Sequence, residues 1–258
     1  MIDPLFAIAG KTVLVTGGTS GIGHMIARGL VKRGARTYIT GRDPEQTREA
    51  AEALAADGGS CTGLSVDLAI AAGPQLLAQH LGGYESRLDV LINNAGTSGN
   101  GTLRDATCAD WDRVMTVNVR APFFLLQQLL PLLRASASVE DPARVINIGS
   151  IGGLHVPNWE AHSYGASKAA LHHLTRSLAK ALAKERILVN GIAPGPFPSR
   201  LTDTDSDAVK KSIATHVPLG RPGRADDIVG TVVFLASRAA AYVNGTTLAL
   251  DGGYLAAL

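Results

Sequence analysis

Cysteine is scarce in this chain: Cys61 and Cys108 are the only two among 258 residues. That is too few for a disulfide framework or a thiolate metal cage, and each reads as a small buried hydrophobe. Aromatic residues make up only 5%, which excludes the stacking platforms on which single-stranded nucleic acids lie. Neither sign of charge dominates, with 24 basic against 22 acidic residues and a formal net charge of +2. Such a balance gives no reason to expect a nucleic-acid partner. No apolar run reaches the ~18 residues that a bilayer-spanning helix needs, so no membrane is expected. The opening Met1-Ile2-Asp3-Pro4 lacks a basic segment followed by an apolar stretch, so no signal peptide is read and a soluble, cytoplasmic protein is expected. The seven histidines fall at no coherent ligand spacing, and no metal is expected either.

What the chain does have is 46% hydrophobic residues and 29 glycines, over a length that can bury roughly three quarters of its unfolded surface in one core. Short β-rich runs alternate with longer helical ones. The strand candidates are Thr12–Thr16, Arg36–Thr40, Thr62–Val66, Asp89–Ile92, Arg144–Ile148, Ile187–Ala193 and Thr246–Leu250. Several are nearly continuous in Val, Ile and Leu, as parallel strands covered on both faces are. Helices are expected over Ile22–Arg33, Pro44–Ala56, Pro74–Leu81, Ala109–Arg134, His162–Lys184 and Ala225–Ser237. Gly34 stands where a glycine ends a helix, and Pro44 and Pro74 stand where prolines begin one. Repeated βα units of this length predict right-handed crossovers and an α/β fold with a doubly wound parallel sheet. No linker or repeat interrupts them, so residues 1–258 read as a single domain. Pro194–Pro218 is rich in Pro, Ser, Thr and Asp, with at most one short helix, Ala208–Thr215. It reads as a mobile lid.

The first strand runs into Thr16-Gly17-Gly18-Thr19-Ser20-Gly21-Ile22-Gly23. Glycines at 17, 21 and 23 let the backbone turn sharply and approach a pyrophosphate, and the following helix offers free N–H groups and a partial positive charge. The spacing G-x-x-x-G-x-G departs from the commoner dinucleotide fingerprint. At the end of the second strand stands Gly41-Arg42-Asp43. An acidic residue there would take the adenosine ribose hydroxyls, whereas Arg would take a 2′-phosphate. Arg42 is nearer the strand end and can grip phosphate as a fork, which favours NADP(H) over NAD(H) provided the Asp43 carboxylate turns away. The other reading of Arg42 is a solvated turn residue. The fourth strand ends in Asn93-Asn94-Ala95-Gly96, small and amide residues that suit close passage of a cofactor.

The fifth strand delivers Gly149-Ser150, and the next helix carries Tyr164-Gly165-Ala166-Ser167-Lys168. Residues four apart share a helix face, so the phenol and the ammonium point the same way. A free tyrosine has a pKa of ~10. A cation within a few Å is expected to lower it toward the working pH. Ser150 could then hydrogen-bond a substrate carbonyl oxygen, and Asn118 is expected to hold a water behind the lysine. Taken alone, Tyr-x-x-x-Lys is equally the surface of an amphipathic helix; the strand-end serine and the glycine turn make it a site.

Together, Thr16–Gly23, Asn93–Gly96, Asn118, Ser150, Tyr164, Lys168 and Pro194-Gly195 closely resemble the short-chain dehydrogenase/reductase family, down to Leu250-Asp251-Gly252-Gly253. The resemblance spans essentially the entire chain. It implies a Rossmann-type, seven-stranded sheet, a nicotinamide cofactor, and catalysis by Ser150, Tyr164 and Lys168 with Asn118 in support. It further implies that Gly17, Thr19, Ser20, Gly21, Ile22, Gly23 and Arg42 hold the cofactor phosphates. Asp67 and Leu68 would lie near adenine, and Asn94, Ala95 and Gly96 beside the adenosine ribose. Lys168 would also grip the nicotinamide ribose, and Pro194, Gly195, Phe197 and Ser199 would lie at the carboxamide. Leu129–Arg134, Ala143–Ser150 and Ile192–Arg200 are similar to NADPH-dependent β-ketoacyl reductases within the family. That suggests a 3-oxoacyl thioester or a related small carbonyl or alcohol substrate. An NAD-dependent dehydrogenase of a steroid, sugar or other alcohol stays open, as does, in a different class, a non-catalytic dinucleotide sensor.

The remaining residues carry weaker expectations. Gly152–Ala161 and Arg200–Val217 would line the substrate pocket, with Trp111 and Trp159 as packing or pocket-wall residues. His172 and His173 are expected to face a subunit or solvent. Leu125, Leu126, Leu129 and Leu130, with Leu171, Leu174 and Leu178, make two long helices apolar on more than one face. That suggests subunit contacts in a homodimer or homotetramer, with core packing as the rival explanation.

Overall fold

Strand β1 (Thr12–Val15) sets the architecture, because its side chains divide between two cores. Val13 and Val15 join one cluster with Ile26, Leu30, Ile92, Ile146 and Ile228, whereas Leu14 joins the other with Leu77, Leu91, Leu125 and Val145. A strand that alternates between two buried faces must be covered by helices on both sides. The structure is a computed structural model and describes residues 3–99, 102–156, 160–199, 202 and 204–258.

The other strands are β2 (Arg36–Gly41), β3 (Ser60–Ser65), β4 (Val90–Asn93), β5 (Ala143–Ile148), β6 (Ile187–Pro194) and β7 (Thr247–Leu250). They form one seven-stranded sheet in the order β3-β2-β1-β4-β5-β6-β7, with every pairing parallel. The order reverses between β1 and β4, and a doubly wound sheet binds ligands in the crevice beyond the strand ends at that reversal. Helices α1 (Gly21–Val31) and α8 (Ala225–Ala236) cover one face. The other face carries α3 (Gly73–Gly82), α5 (Ala121–Ser136) and α6 (His162–Leu182). Helix α2 (Pro44–Ala56) links β2 to β3, α4 (Cys108–Met115) precedes α5, and α7 (Asp207–His216) lies within the Pro194–Pro218 stretch.

Each expected strand and helix is found, with ends shifted by one or two residues, but the expected helix Ala109–Arg134 is not uniform. Thr116–Arg120 forms a π-helical turn between α4 and α5, a widening that recurs at functional sites. Pro122 explains part of it: with no N–H, it cannot give the Asn118 carbonyl its α-helical donor. Leu125, Leu126, Leu129 and Leu171 are buried in the chain's own core, which corrects the reading of them as subunit surface. The large apolar side chains exposed on α4 and α5 are Trp111, Phe123 and Phe124. Cys108 is exposed, contrary to expectation, while Cys61 is partly buried and burial pushes its thiol up to about 12. Among the described residues no helix is long and apolar enough to cross a membrane. Trp159 and Arg200 lie outside the described residues.

Candidate active site

The glycine turn is held from three sides. Gly17 N–H donates to Thr40 Oγ1 at 3.2 Å and Gly18 N–H to the Thr40 carbonyl at 3.0 Å. Asn94 Nδ2 donates to the carbonyls of Thr16 and Gly17 at 2.9 and 3.0 Å. Thr16 Oγ1 accepts from the N–H groups of Asn94 and Ala95 at 3.0 and 2.9 Å. Gly17 has φ +65°, a left-handed conformation that favours glycine. A Cβ on Gly23 would lie 2.2 Å from the Gly17 carbonyl oxygen and 2.3 Å from Asn94 Nδ2. Ser20 precedes α1 without capping it through its side chain, so the first-turn N–H groups of Gly21, Ile22 and Gly23 have no intrahelical partner and no serine oxygen. Ile22 packs against the core, and Thr19 stands against Gly41 at the end of β2. The arrangement is a cradle for an anion, and it fits a dinucleotide pyrophosphate.

Arg42 is exposed at the end of β2, and among the described residues no acid pairs with it. The Asp43 carboxylate is turned away: it caps α2, accepting from Gln46 N–H at 2.8 Å. Asp67 accepts from Ala69 N–H at 2.8 Å and shapes the turn after β3, while the Leu68 side chain is buried in the core. Asn94, expected beside a ribose, spends its amide N–H groups on the glycine turn. Pro194 pairs with Leu250, and Gly195 N–H donates to the Leu250 carbonyl at 2.9 Å. Ser199 Oγ accepts from Thr202 N–H at 3.1 Å. The Phe197 side chain is 2% exposed and belongs to the core. A carboxamide contact at this position would therefore use the Phe197 backbone.

Ser150, Tyr164 and Lys168 converge at the carboxyl end of β5. Ser150 Oγ accepts from Gly152 N–H at 3.1 Å, and the Ser150 hydroxyl lies near enough to the Tyr164 phenol to favour its ionised form. Lys168 Nζ donates to the Ile148 carbonyl at 2.8 Å and lies 5.6 Å from the centre of the Tyr164 ring. Burial pushes the Lys168 ammonium down to about 8. The phenol was expected to be lowered by its lysine neighbour; burial instead pushes Tyr164 above 10, and the Ser150 hydrogen bond opposes the rise. Burial is the larger effect because taking the phenolate out of water costs more than the Ser150 hydroxyl returns.

Asn118 sits in the π-helical turn, 1% exposed. Its Oδ1 accepts from Thr97 N–H at 2.9 Å, and its Nδ2 donates to the Thr97 carbonyl and to Ser167 Oγ, both at 2.9 Å. The side chain is therefore committed, and a water beside Lys168 would have to use the Asn118 carbonyl. A Cβ on Gly96 would lie 3.5 Å from Asn118 Oδ1 and 3.6 Å from Lys168 Nζ, so Gly96 keeps the floor of the crevice low. Thr97 and Ser167 were not singled out from the sequence, because nothing in local spacing links them to Asn118.

His172, expected to face a subunit or solvent, is 3% exposed and lies directly behind the Gly149-Ser150 backbone; His173 is exposed as expected. A cavity of about 560 Å³ is lined by residues of the Gly152–Ala161 loop and by His162, Gly165, Ala166 and Ala169 of α6. On a helix these positions point away from the side that carries Tyr164 and Lys168.

Comparison with known proteins agrees with this geometry. A family model described as enoyl-(acyl carrier protein) reductase matches residues 17–255. The chain is 48% identical, over 98% of its length, to a rhamnolipids biosynthesis 3-oxoacyl-(acyl-carrier-protein) reductase of Pseudomonas aeruginosa, of which it covers 99%. It is 36% identical, over 99% of its length, to a 2-dehydro-3-deoxy-D-gluconate 5-dehydrogenase of Dickeya dadantii, covering 100% of that protein. Among solved structures, a Pseudomonas aeruginosa RhlG/NADP active-site complex matches with a TM-score of 0.94 at 47% identity, over 98% of this chain and 99% of that one.

Proposed function

The chain belongs to the short-chain dehydrogenase/reductase family, and we propose that it is an NADP(H)-dependent ketoreductase acting on a 3-oxoacyl thioester. The observation that carries the chemistry is the convergence of Ser150, Tyr164 and a buried Lys168, whose Nζ lies 5.6 Å from the Tyr164 ring centre. The cofactor is supported by the open α1 N-terminus and by an arginine whose neighbouring carboxylate is engaged elsewhere. The substrate class rests on the reductase relative at 48% identity.

The first turn of α1 with Gly17, Thr19 and Ser20 would hold the pyrophosphate, Arg42 the 2′-phosphate, Asp67 and the Leu68 backbone the adenine, and Lys168 the nicotinamide ribose. Asn94, Ala95 and Gly96 would border the adenosine ribose, while Pro194, Gly195, Ser199 and the Phe197 backbone would face the carboxamide. When bound, NADPH supplies the hydride that a ketone carbon accepts. The protein's part is to receive the charge that then builds on the carbonyl oxygen. Ser150 donates a hydrogen bond to that oxygen, and Tyr164 gives it a proton. A phenol whose pKa lies above its ordinary value is fully protonated at neutral pH and thus ready to donate. Once the proton has left, the phenolate faces the Lys168 ammonium, whose Nζ lies 5.6 Å from the ring centre, and the attraction eases the proton's departure. A water on the Asn118 carbonyl would return the proton. Trp111, Phe123 and Phe124 leave apolar surface for a second subunit, consistent with a homodimer or homotetramer.

The test is NADPH oxidation by the purified protein with a 3-oxoacyl thioester, against a panel of steroid, small and sugar-acid ketones. Turnover is expected on the thioester, with NADPH preferred over NADH. Turnover confined to the sugar-acid ketones would instead favour the function of the 36% identical relative.

A further inference from the structure

The most unusual group near the site is one that the mechanism above does not use. His172 follows Tyr164 by two turns of α6 and is 3% exposed. Its Nε2 accepts from the Ser150 N–H at 3.4 Å. A Cβ on residue 149 would stand 2.0 Å from that same nitrogen, so the ring reaches the strand end only because residue 149 is glycine. Its Nδ1 is buried without a well-formed hydrogen bond. An imidazole accepting at Nε2 must be neutral, with its proton on Nδ1. Burial, then the charge of Lys168, push His172 down to about 4, with Arg176 acting in the same sense and the Gly153 backbone against it. Leaving Nδ1–H poorly partnered in the interior is a cost that a packing residue such as leucine would avoid.

We propose that His172 is a positioning residue for the reduction: its Nε2 holds the Ser150 backbone, and so aims the Ser150 hydroxyl at Tyr164 and at the substrate carbonyl oxygen. Ser150 is then pinned at both ends, at its N–H by His172 and at its Oγ by the N–H of Gly152. The hydroxyl hydrogen alone is left to turn between the phenol and the substrate. The inference rests on the catalytic reading of Ser150 and Tyr164.

Two measurements decide it. In the intact protein at neutral pH, nitrogen-15 shifts of the histidine rings should show one buried imidazole protonated at Nδ1 and bare at Nε2. The opposite tautomer would overturn the proposal, and this arm needs no variant to fold. In the NADPH-dependent reduction of the 3-oxoacyl thioester, His172→Leu should lower kcat about 10–100-fold, the scale on which small misplacements of reacting groups act. The Kd for NADPH should not move. His172→Gln, which can place an oxygen where Nε2 stood, should recover most of the loss. Wild-type kcat in folded His172→Leu, or an equal loss in both folded variants, would overturn the proposal. Tyr164→Phe separates the two levels of the argument. If that variant turns over normally, the catalytic reading itself fails; if it is inactive while His172→Leu is normal, only the role of His172 does.

Discussion

At the amino ends of the strands, charges come in pairs. Lys11 meets Asp141, Arg87 meets Asp89, and Arg36 meets Glu85, which also accepts from the Tyr38 hydroxyl at 2.7 Å. The Arg144 side chain, 1% exposed, donates through its two terminal nitrogens to the Pro142 and Ser237 carbonyls and to Asp141, and its buried Nε has no partner among the described residues. At the carboxyl ends of the same strands, Lys168 is buried and, among the described residues, has no acid beside it; it has only the Ile148 carbonyl. Arg42, at the end of β2, likewise has no acidic partner among the described residues. Buried charge is costly unless paired, so the first rim is built to be stable. The second holds its positive charges in reserve for groups that arrive from outside. One sheet therefore separates stability from reactivity along the direction of its strands.

The sharpest break of that comparison is Tyr164→Phe. It removes one oxygen from the reactive rim, and kcat should fall by about 10²–10⁴-fold, the range of a general acid, with NADPH affinity and thermal midpoint unchanged. A variant that retains turnover would show that the carboxyl rim works by other groups. Next in size is Arg42→Ala, which should raise the KM for NADPH by about 10–100-fold, as expected from a lost charge-assisted contact of about 1.5–3 kcal/mol. NADH use should barely move, and an equal effect on both coenzymes would make Arg42 an ordinary surface residue. The opposite rim should answer in the opposite currency. Asp89 accepts from the buried Thr12 N–H at 2.7 Å, and Asp89→Ala orphans that donor. Urea unfolding should show a loss of about 1–3 kcal/mol while kcat stays near the wild-type value. A large loss of kcat in folded Asp89→Ala would mean that the two rims are not separable.

How legible this division was depends on the range of the interaction. The glycine turn, the Tyr164/Lys168 pair and the seven strands were readable because each is a local pattern, a bend or a period carried by neighbouring residues. Asn118 was readable as a candidate, but its bonds to Thr97 and Ser167 span 21 and 49 residues. No spacing rule connects such partners. The π-helical turn had a local signal that was overlooked, Pro122 four residues beyond Asn118. His172 was misplaced because a polar residue on an amphipathic helix defaults to the solvent side; only the closeness of Gly149 shows that the ring faces inward. Leu125, Leu129 and Leu171 were half misread for a related reason, since a helix buried against a sheet and a helix buried against a subunit carry the same stripe. The direction of the Tyr164 shift was wrong because a sequence places a lysine near a phenol but does not say how deeply both are buried.

The smallest effect, and the finest test of the contrast, lies in the pH dependence of stability. Burial lowers Lys168 from its ordinary 10.5 to about 8. Below about pH 8 both folded and unfolded chains carry this proton, and the folded chain bears the cost of an unpaired buried ammonium. Between that value and the unfolded pKa of ~10.4, the unfolded chain binds more protons than the folded one, so this group makes stability rise with pH. Tyr164 acts in the opposite sense once pH passes ~10, because its phenol is pushed up by burial and the folded chain keeps a proton that the unfolded chain releases. The Lys168 contribution is therefore a rise confined to about pH 8 to ~10, with a limiting slope of about 1.4 kcal/mol per pH unit for one proton, and the buried Cys61 thiol, pushed up to about 12, pulls the other way above ~8.5. Urea titrations across that window should show a slope more positive in the wild-type chain than in Lys168→Met, whose side chain has no proton to release. If the two chains show the same slope, the cost of buried charge does not sit at the carboxyl rim. The paired acids and bases of the amino rim would then be the place to look for it.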